Sequence, residues 1–539
     1  MEEKTKDLAI SQESPVKDVS EGQVLDQDEY RLAQLGYKQE LLRHLGLFES
    51  WAATFSSMNF VSGIPVLFYF IMVSGGPKSA FANWTMVGGF SSIVSLVMAE
   101  IAAALPTAGG IYFWSYRLGG PKWGPFLSWM TAWWNWVGWI CVVPGVQQGA
   151  TNFLLSALEI KYPNASVLEK GWLSWLITAI GMLFAMIPNI TSQRILKLYF
   201  RFAIIIFFSL FIIYWTWLPA KASGHFQSRE VVFNKFYNGI NDGPTKQASD
   251  SYCWIIGILF GAWVFYGYDA SAHLAEETQN ASIVVAKGMW ISTFCAWLGS
   301  VPTIIIMLFC MQDFNGIINS IYTNSFAEYL LQIVGPNGAV GILALLWVDS
   351  TCATASCFMS AQRVTFAISR DGVLPFSRFF RKLNSRKVPV NAAILVCVLS
   401  IAITCAVIGS EVAFSAITAT ATIATNFSYL IPIVARHTVG RQHFEPAAWN
   451  LGRYGPFLAF IAGGYIMLLF AVLLLPQVYP VNAQSLNYAP ICIGIVTVIS
   501  LVGWVLPFGL GGMHWFTGPK KTIKETTPSS PPELPSTKV

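Results

Sequence analysis

Charge is what this 539-residue chain has least of: 11% of its positions are Asp, Glu, Lys or Arg, against about 25% in soluble globular proteins. That shortage excludes an ordinary soluble domain. Histidine is equally scarce, and His44, His225, His273, His437, His443 and His514 form no HExxH or other paired arrangement. Neither a metal site nor a cofactor is expected, and with no nucleophile set beside a base the chain does not read as an enzyme. The nearest pair among the nine cysteines, Cys352 and Cys357, has neither zinc-ligand nor redox spacing, so the cysteines read as small core hydrophobes. No signal peptide is visible in the polar residues 1–29, which leaves the first apolar run to act as the insertion signal.

What is there instead is hydrophobic, at 54% of positions. Apolar runs long enough to cross roughly 30 Å of hydrocarbon as helix fall near 51–73, 84–105, 125–155, 172–187, 199–218, 252–274, 289–310, 339–368, 388–408, 412–434, 454–475 and 489–510. The fold class is thus an all-α polytopic membrane protein with twelve transmembrane helices. Loops that share a side with the amino terminus carry fifteen basic residues and the opposite loops seven, which places both termini in the cytoplasm. The net charge of +5 is then a topological bias that points to no nucleic-acid partner, and the basic stretch 370–387 lies against anionic lipid headgroups. Among the Asn-x-Ser/Thr sequons, Asn164 alone lies clearly in an outer loop with room for a glycan.

Charge inside the spans is where function is expected. Asp269 sits about sixteen residues into the sixth run, where an unpartnered carboxylate costs several kcal/mol, and Gly267 beside it lowers helix propensity by about 1 kcal/mol relative to Ala. The first run is interrupted too, by Gly63 and by Pro65, which removes a backbone donor. The two interruptions lie five spans apart, an odd number, so a repeated unit would re-enter the membrane from the opposite side. That is the inverted-repeat arrangement of secondary transporters, with substrate at the midplane between two broken helices. Gly and Pro also occur in membrane helices that only pack or kink.

The stretches Gln39-Glu-Leu, Phe48-Glu-Ser, Ala99-Glu-Ile-Ala-Ala-Ala-Leu-Pro-Thr-Ala-Gly-Gly-Ile-Tyr-Phe-Trp114, Gly267-Tyr-Asp-Ala-Ser-Ala-His-Leu-Ala-Glu-Glu-Thr278, Ser369-Arg-Asp-Gly372 and Trp515-Phe-Thr-Gly-Pro519 together resemble the fungal amino acid/choline transporter family of the amino acid–polyamine–organocation superfamily. The resemblance covers about residues 30–520. It implies a LeuT-type five-plus-five inverted repeat with helices 1 and 6 broken plus two extra helices, and proton-driven uptake of γ-aminobutyrate, choline, thiamine or related amines. It also implies that Val61, Ser62 and Gly63 offer backbone amides to a substrate carboxylate, and that Tyr266, Gly267, Tyr268, Asp269 and Ala270 receive the amine end. Half-helix termini and aromatic faces suit such a zwitterion or a cation, and do not choose between them.

The organisation expected is a disordered cytoplasmic tail (1–29), an amphipathic segment (30–48), a first repeat (49–218), an extracellular loop (219–251), a second repeat (252–436), two further spans (437–515) and a cytoplasmic tail (516–539). In 30–48, Leu32, Leu35, Leu42 and Leu45 alternate with Arg31, Lys38, Glu40 and Arg43, a pattern of a short surface helix that either anchors to the membrane or latches the inner gate. Proton coupling has two candidates, Asp269 and Asp349, although Asp349 beside Ser350 and Thr351 also suits a bond between helices. Glu100, Glu276 and Glu277 are gate candidates, and His273 reads as a satisfied polar residue. A lysine switch in the fifth span is absent, since nothing basic lies between Arg201 and Trp217. A solute sensor would keep the same site, but its usual long folded extension has no counterpart in tails this short. The partners expected are a small amine or amino acid, protons and the lipid bilayer, in the plasma membrane before an internal one.

Overall fold

The computed structural model describes residues 27–39, 41–43, 45–241, 246–409, 413–442 and 444–520. Glu40, His44, His443, most of the first tail and the second tail from 521 onward lie outside the described residues. Helical segments occupy all twelve expected spans, and among the described residues eight helices are long and apolar enough to cross a bilayer in one run. Span 2 is Gly76–Ala104, span 3 Gly110–Lys161, span 4 Gly171–Ile190, span 5 Gln193–Ile212 with a wide turn Ile213–Trp217, and span 7 Ala281–Cys310. Spans 8 to 12 are Phe326–Arg370, Val390–Thr404, Ala413–His437, Gly455–Leu473 and Ala489–Val505. Spans 8 and 10 each pack most extensively against span 3, and span 10 is buried along most of its length while span 5 is largely exposed.

The repeat has a backbone signature. Span 3 changes direction at Gly120 (φ 65°, ψ −172°) and span 8 at Gly335 (φ 72°, ψ 178°), each followed at once by a proline. These spans are five apart. A positive φ with ψ near 180° is a conformation that only glycine adopts cheaply, so the same Gly-Pro elbow is built twice, once in each half.

Spans 1 and 6 are both discontinuous, with one correction to position. Span 1 is helical over Leu47–Ser57, Phe60–Val66 and Phe68–Val73, so it opens at Met58 and Asn59 rather than at 61–65. Asn59 explains the shift: its Oδ1 accepts from the amides of Val61 (3.1 Å) and Ser62 (3.4 Å), an N-cap that starts a new helix ahead of Gly63. Pro65 stays within that helix because the carbonyl it orphans, on Val61, accepts from the Tyr214 hydroxyl at 3.1 Å. Span 6 comprises Asp250–Ile256, Ile258–Ala262 and Ala270–His273, with 263–269 non-helical.

The amino-terminal segment is a second correction. It is not one amphipathic helix over 30–48, and residues 27–29 belong to ordered structure. A helix Gln27–Gln34 ends in a Schellman cap, with the Tyr37 amide donating to Leu32 O (3.1 Å) and the Gly36 amide to Ala33 O (2.9 Å), Gly36 taking φ 92°. Beyond it the described residues up to Gly46 form no helix before span 1 begins at Leu47.

Candidate functional site

The opened stretch of span 6 owes its shape to Gly267, whose φ of 78° suits glycine and whose absent Cβ would stand 3.2 Å from the Trp139 ring. Its amide donates to the Tyr429 hydroxyl at 3.2 Å. Span 1 comes equally close: a Cβ on Gly63 would lie 2.4 Å from Val264 Cγ2, so the two broken helices meet backbone to side chain. Residues 256–278 are buried throughout, which makes this an occluded arrangement.

Asp269 is fully buried and fully engaged. Its Oδ2 accepts from Asn135 Nδ2 (3.2 Å), Trp139 Nε1 (3.1 Å) and His273 Nε2 (2.9 Å), and its Oδ1 from the Tyr429 hydroxyl (2.6 Å). A carboxylate has about four acceptor positions, and here four donors from spans 3, 6 and 10 crowd onto it, three at Oδ2 and one at Oδ1. Around this node Tyr268 packs on Tyr429 with centroids 4.9 Å apart and Trp263 on Tyr266 at 5.6 Å, while the Tyr268 hydroxyl has no partner among the described residues. Ala270, also buried, begins the short helix that carries His273.

Asp349, on span 8, meets the other broken helix. Its Oδ2 accepts from Asn59 Nδ2 at 2.6 Å, and the Ser62 side chain also reaches the carboxylate. Val61 and Ser62 therefore have their amides capped by Asn59, and the Gly63 amide bonds to Asn59 O at 2.9 Å.

The remaining acids lie where span 6 turns into span 7. Glu276 accepts from Arg370 Nη1 (3.1 Å) and from the Ala108 amide (3.1 Å), and Glu277 from Arg363 Nε (2.9 Å), so two buried ion pairs tie span 6 to span 8. The Arg370 guanidinium lies 4.4 Å from the Tyr37 ring, and Asp371 accepts from the Tyr112 hydroxyl and the Lys520 amide. Burial first, and then the Asp371 carboxylate, push the Tyr37 hydroxyl well above its ordinary range. The amino-terminal segment closes over this cluster. Arg43 Nη1 donates to Thr278 O (2.6 Å) and Ala275 O (3.0 Å), Gln39 Nε2 to Glu276 O (2.8 Å), and the Asn280 and Ala281 amides to the Asp28 carboxylate. Glu100 stands apart from the pairs; its Oε1 accepts from the Leu451 amide at 3.1 Å, ahead of span 11.

Asn59, Asn135, Trp139, Tyr214, Arg363 and Tyr429 were not singled out from sequence. Only Arg363 carried a usable signal, a cation within an apolar run. A groove of about 570 Å³ between spans 2 and 7, walled by Phe90, Trp290, Phe294 and Trp297, is apolar and lined by none of the acids above, so it suits no polar solute.

Residues 45–498 match the family described as amino acid permease. The chain is 30% identical to the amino-acid permease BAT1 of Arabidopsis thaliana, over 93% of this chain and 98% of that protein. It is 32% identical to the BAT1 homolog of Oryza sativa, over 94% and 98%, and 29% identical to the thiamine transporter thi9 of Schizosaccharomyces pombe, over 88% and 85%. Two facing broken helices, a Gly-Pro elbow repeated five spans apart and a match that runs nearly end to end have one reading: the chain belongs to the amino acid permease family, integral membrane transporters of the amino acid–polyamine–organocation superfamily.

Proposed function

We propose that this protein takes up a small amino acid or amine, such as γ-aminobutyrate, by proton symport with alternating access across the plasma membrane, both termini cytoplasmic. The observation that carries the reading is the pairing of one buried acid with each broken helix, Asp349 with span 1 and Asp269 with span 6. Substrate lies between Val61, Ser62 and Gly63 on one side and Tyr266 to Ala270 on the other. Because Asp269 already accepts from four donors, the substrate amine meets its charge at the less crowded Oδ1 or by replacing one of them. Asp349, with fewer donors, leaves acceptor positions for a proton. The Glu276–Arg370 and Glu277–Arg363 pairs form the cytoplasmic gate, latched by residues 28–45, and must part for release.

A second reading, uptake of an organic cation such as thiamine or choline, is favoured by the aromatic residues Trp139, Trp263, Tyr266, Tyr268 and Tyr429 around Asp269. One uptake panel separates the two. Labelled γ-aminobutyrate, neutral amino acids, choline and thiamine are offered to cells lacking their own permeases, with and without an imposed inward pH gradient. Accumulation of an amino acid that collapses with uncoupler supports the first reading; accumulation of cations alone supports the second. Accumulation indifferent to the pH gradient sinks proton symport.

A further inference from the structure

We propose that Asn59 is a positioning residue that converts the protonation of Asp349 into loss of the cap on the half-helix Phe60–Val66. The inference rests on the proton-coupled reading above and assigns it a moving part. A carboxamide has one donor end and one acceptor end. Here the donor end, Nδ2, points at Asp349 (2.6 Å), and the acceptor end, Oδ1, holds the amides of Val61 and Ser62. The two ends cannot be chosen independently. An ionised Asp349 only accepts, so it selects this orientation and thereby maintains the cap. A proton on Oδ2, the oxygen that faces Asn59, is a donor that seeks an acceptor, and the nearest one on Asn59 is the oxygen now committed to the cap. Turning the amide over to meet it sets Nδ2 against two backbone donors, and the cap is lost.

Two side chains of span 1 reach Asp349, Asn59 and Ser62, and of these only Asn59 also caps the half-helix. The titratable groups near Asp349 are Tyr199 and Tyr214 from span 5 and Cys352 from its own helix, and among the described residues no charged side chain bonds to it. Tyr214 is occupied with Val61 O. Asn59 thus joins spans 1 and 8 at the place where span 1 opens, next to the Gly63–Val264 approach to span 6.

Hydrogen–deuterium exchange of the full-length protein in nanodiscs tests the device without a substrate. Protection of the Val61 and Ser62 amides, corrected for intrinsic exchange, is measured at pH 8 and pH 5. It should fall about five-fold at the lower pH in the wild type, the equilibrium equivalent of one N-cap. Asn59→Ser keeps a capping oxygen but cannot reach Asp349, so its protection should not change with pH; Asp349→Asn should be equally indifferent. If the wild type shows no fall, or Asn59→Ser retains it, the inference is overturned, and Asp349→Asn decides should Asn59→Ser not fold. Uptake that ignores an imposed pH gradient while protection still falls would remove the symport reading and leave the Asn59 device standing. Proton-driven uptake with unchanging protection would do the reverse.

Discussion

Asp269 and Asp349 are the same side chain at similar depth, yet one accepts from Asn135, Trp139, His273 and Tyr429, and the other from Asn59 with only Ser62 beside it. The first is a node where spans 3, 6 and 10 converge. The second is a contact between spans 1 and 8. A buried charge must be compensated, and the two acids are compensated differently: four donors surround Asp269, whereas Asp349 meets Asn59 and Ser62. The proposed roles rest on that difference, the crowded acid for the substrate amine and the less crowded one for the proton.

The comparison breaks most readily at Asp269. Asp269→Asn replaces one carboxylate oxygen by an N–H2 that faces either the three donors at Oδ2 or the Tyr429 hydroxyl at Oδ1, and leaving a buried donor unsatisfied costs about 1–3 kcal/mol. Loss of high-affinity uptake together with a clear fall in melting temperature in detergent is expected. Unaltered uptake kinetics in that variant would end its assignment to the site.

Tyr429→Phe sharpens the same point with a smaller effect. It removes one bond to a charged acceptor and the partner of the Gly267 amide, about 2 kcal/mol. Substrate affinity should weaken while the pH-gradient dependence of uptake persists. A variant that binds normally but no longer responds to the gradient would move the coupling role to the Asp269 node.

Asp349→Asn should perturb stability least, within about 1 kcal/mol, because an amide oxygen can still accept from Asn59. Its effect is on energetics of transport: exchange of labelled substrate across the membrane continues, and uphill, uncoupler-sensitive accumulation stops. Gradient-driven accumulation in Asp349→Asn would show that the proton is carried elsewhere.

Composition and periodicity determined that this is a twelve-span helical membrane protein, because crossing hydrocarbon demands apolar runs of a set length whatever they pack against. They also pointed to interruptions in spans 1 and 6, at the right place through Gly267 and, through Gly63 and Pro65, about one turn beyond the opening at Met58 and Asn59. Arg363 was readable as an intramembrane charge, whereas the elbows at Gly120-Pro121 and Gly335-Pro336 were not readable as a repeat, because Gly-Pro occurs elsewhere in the chain and only the backbone angles single these two out. What only the tertiary structure decided is where span 1 opens and what each acid bonds to. Asn59 caps by a local bond but is oriented by Asp349, 290 positions away, and Asp269 takes three of its donors from 130, 134 and 160 positions away. Hydrogen bonds between spans depend on which faces meet. That is settled by the packing of the whole bundle, and no stretch of sequence carries it alone.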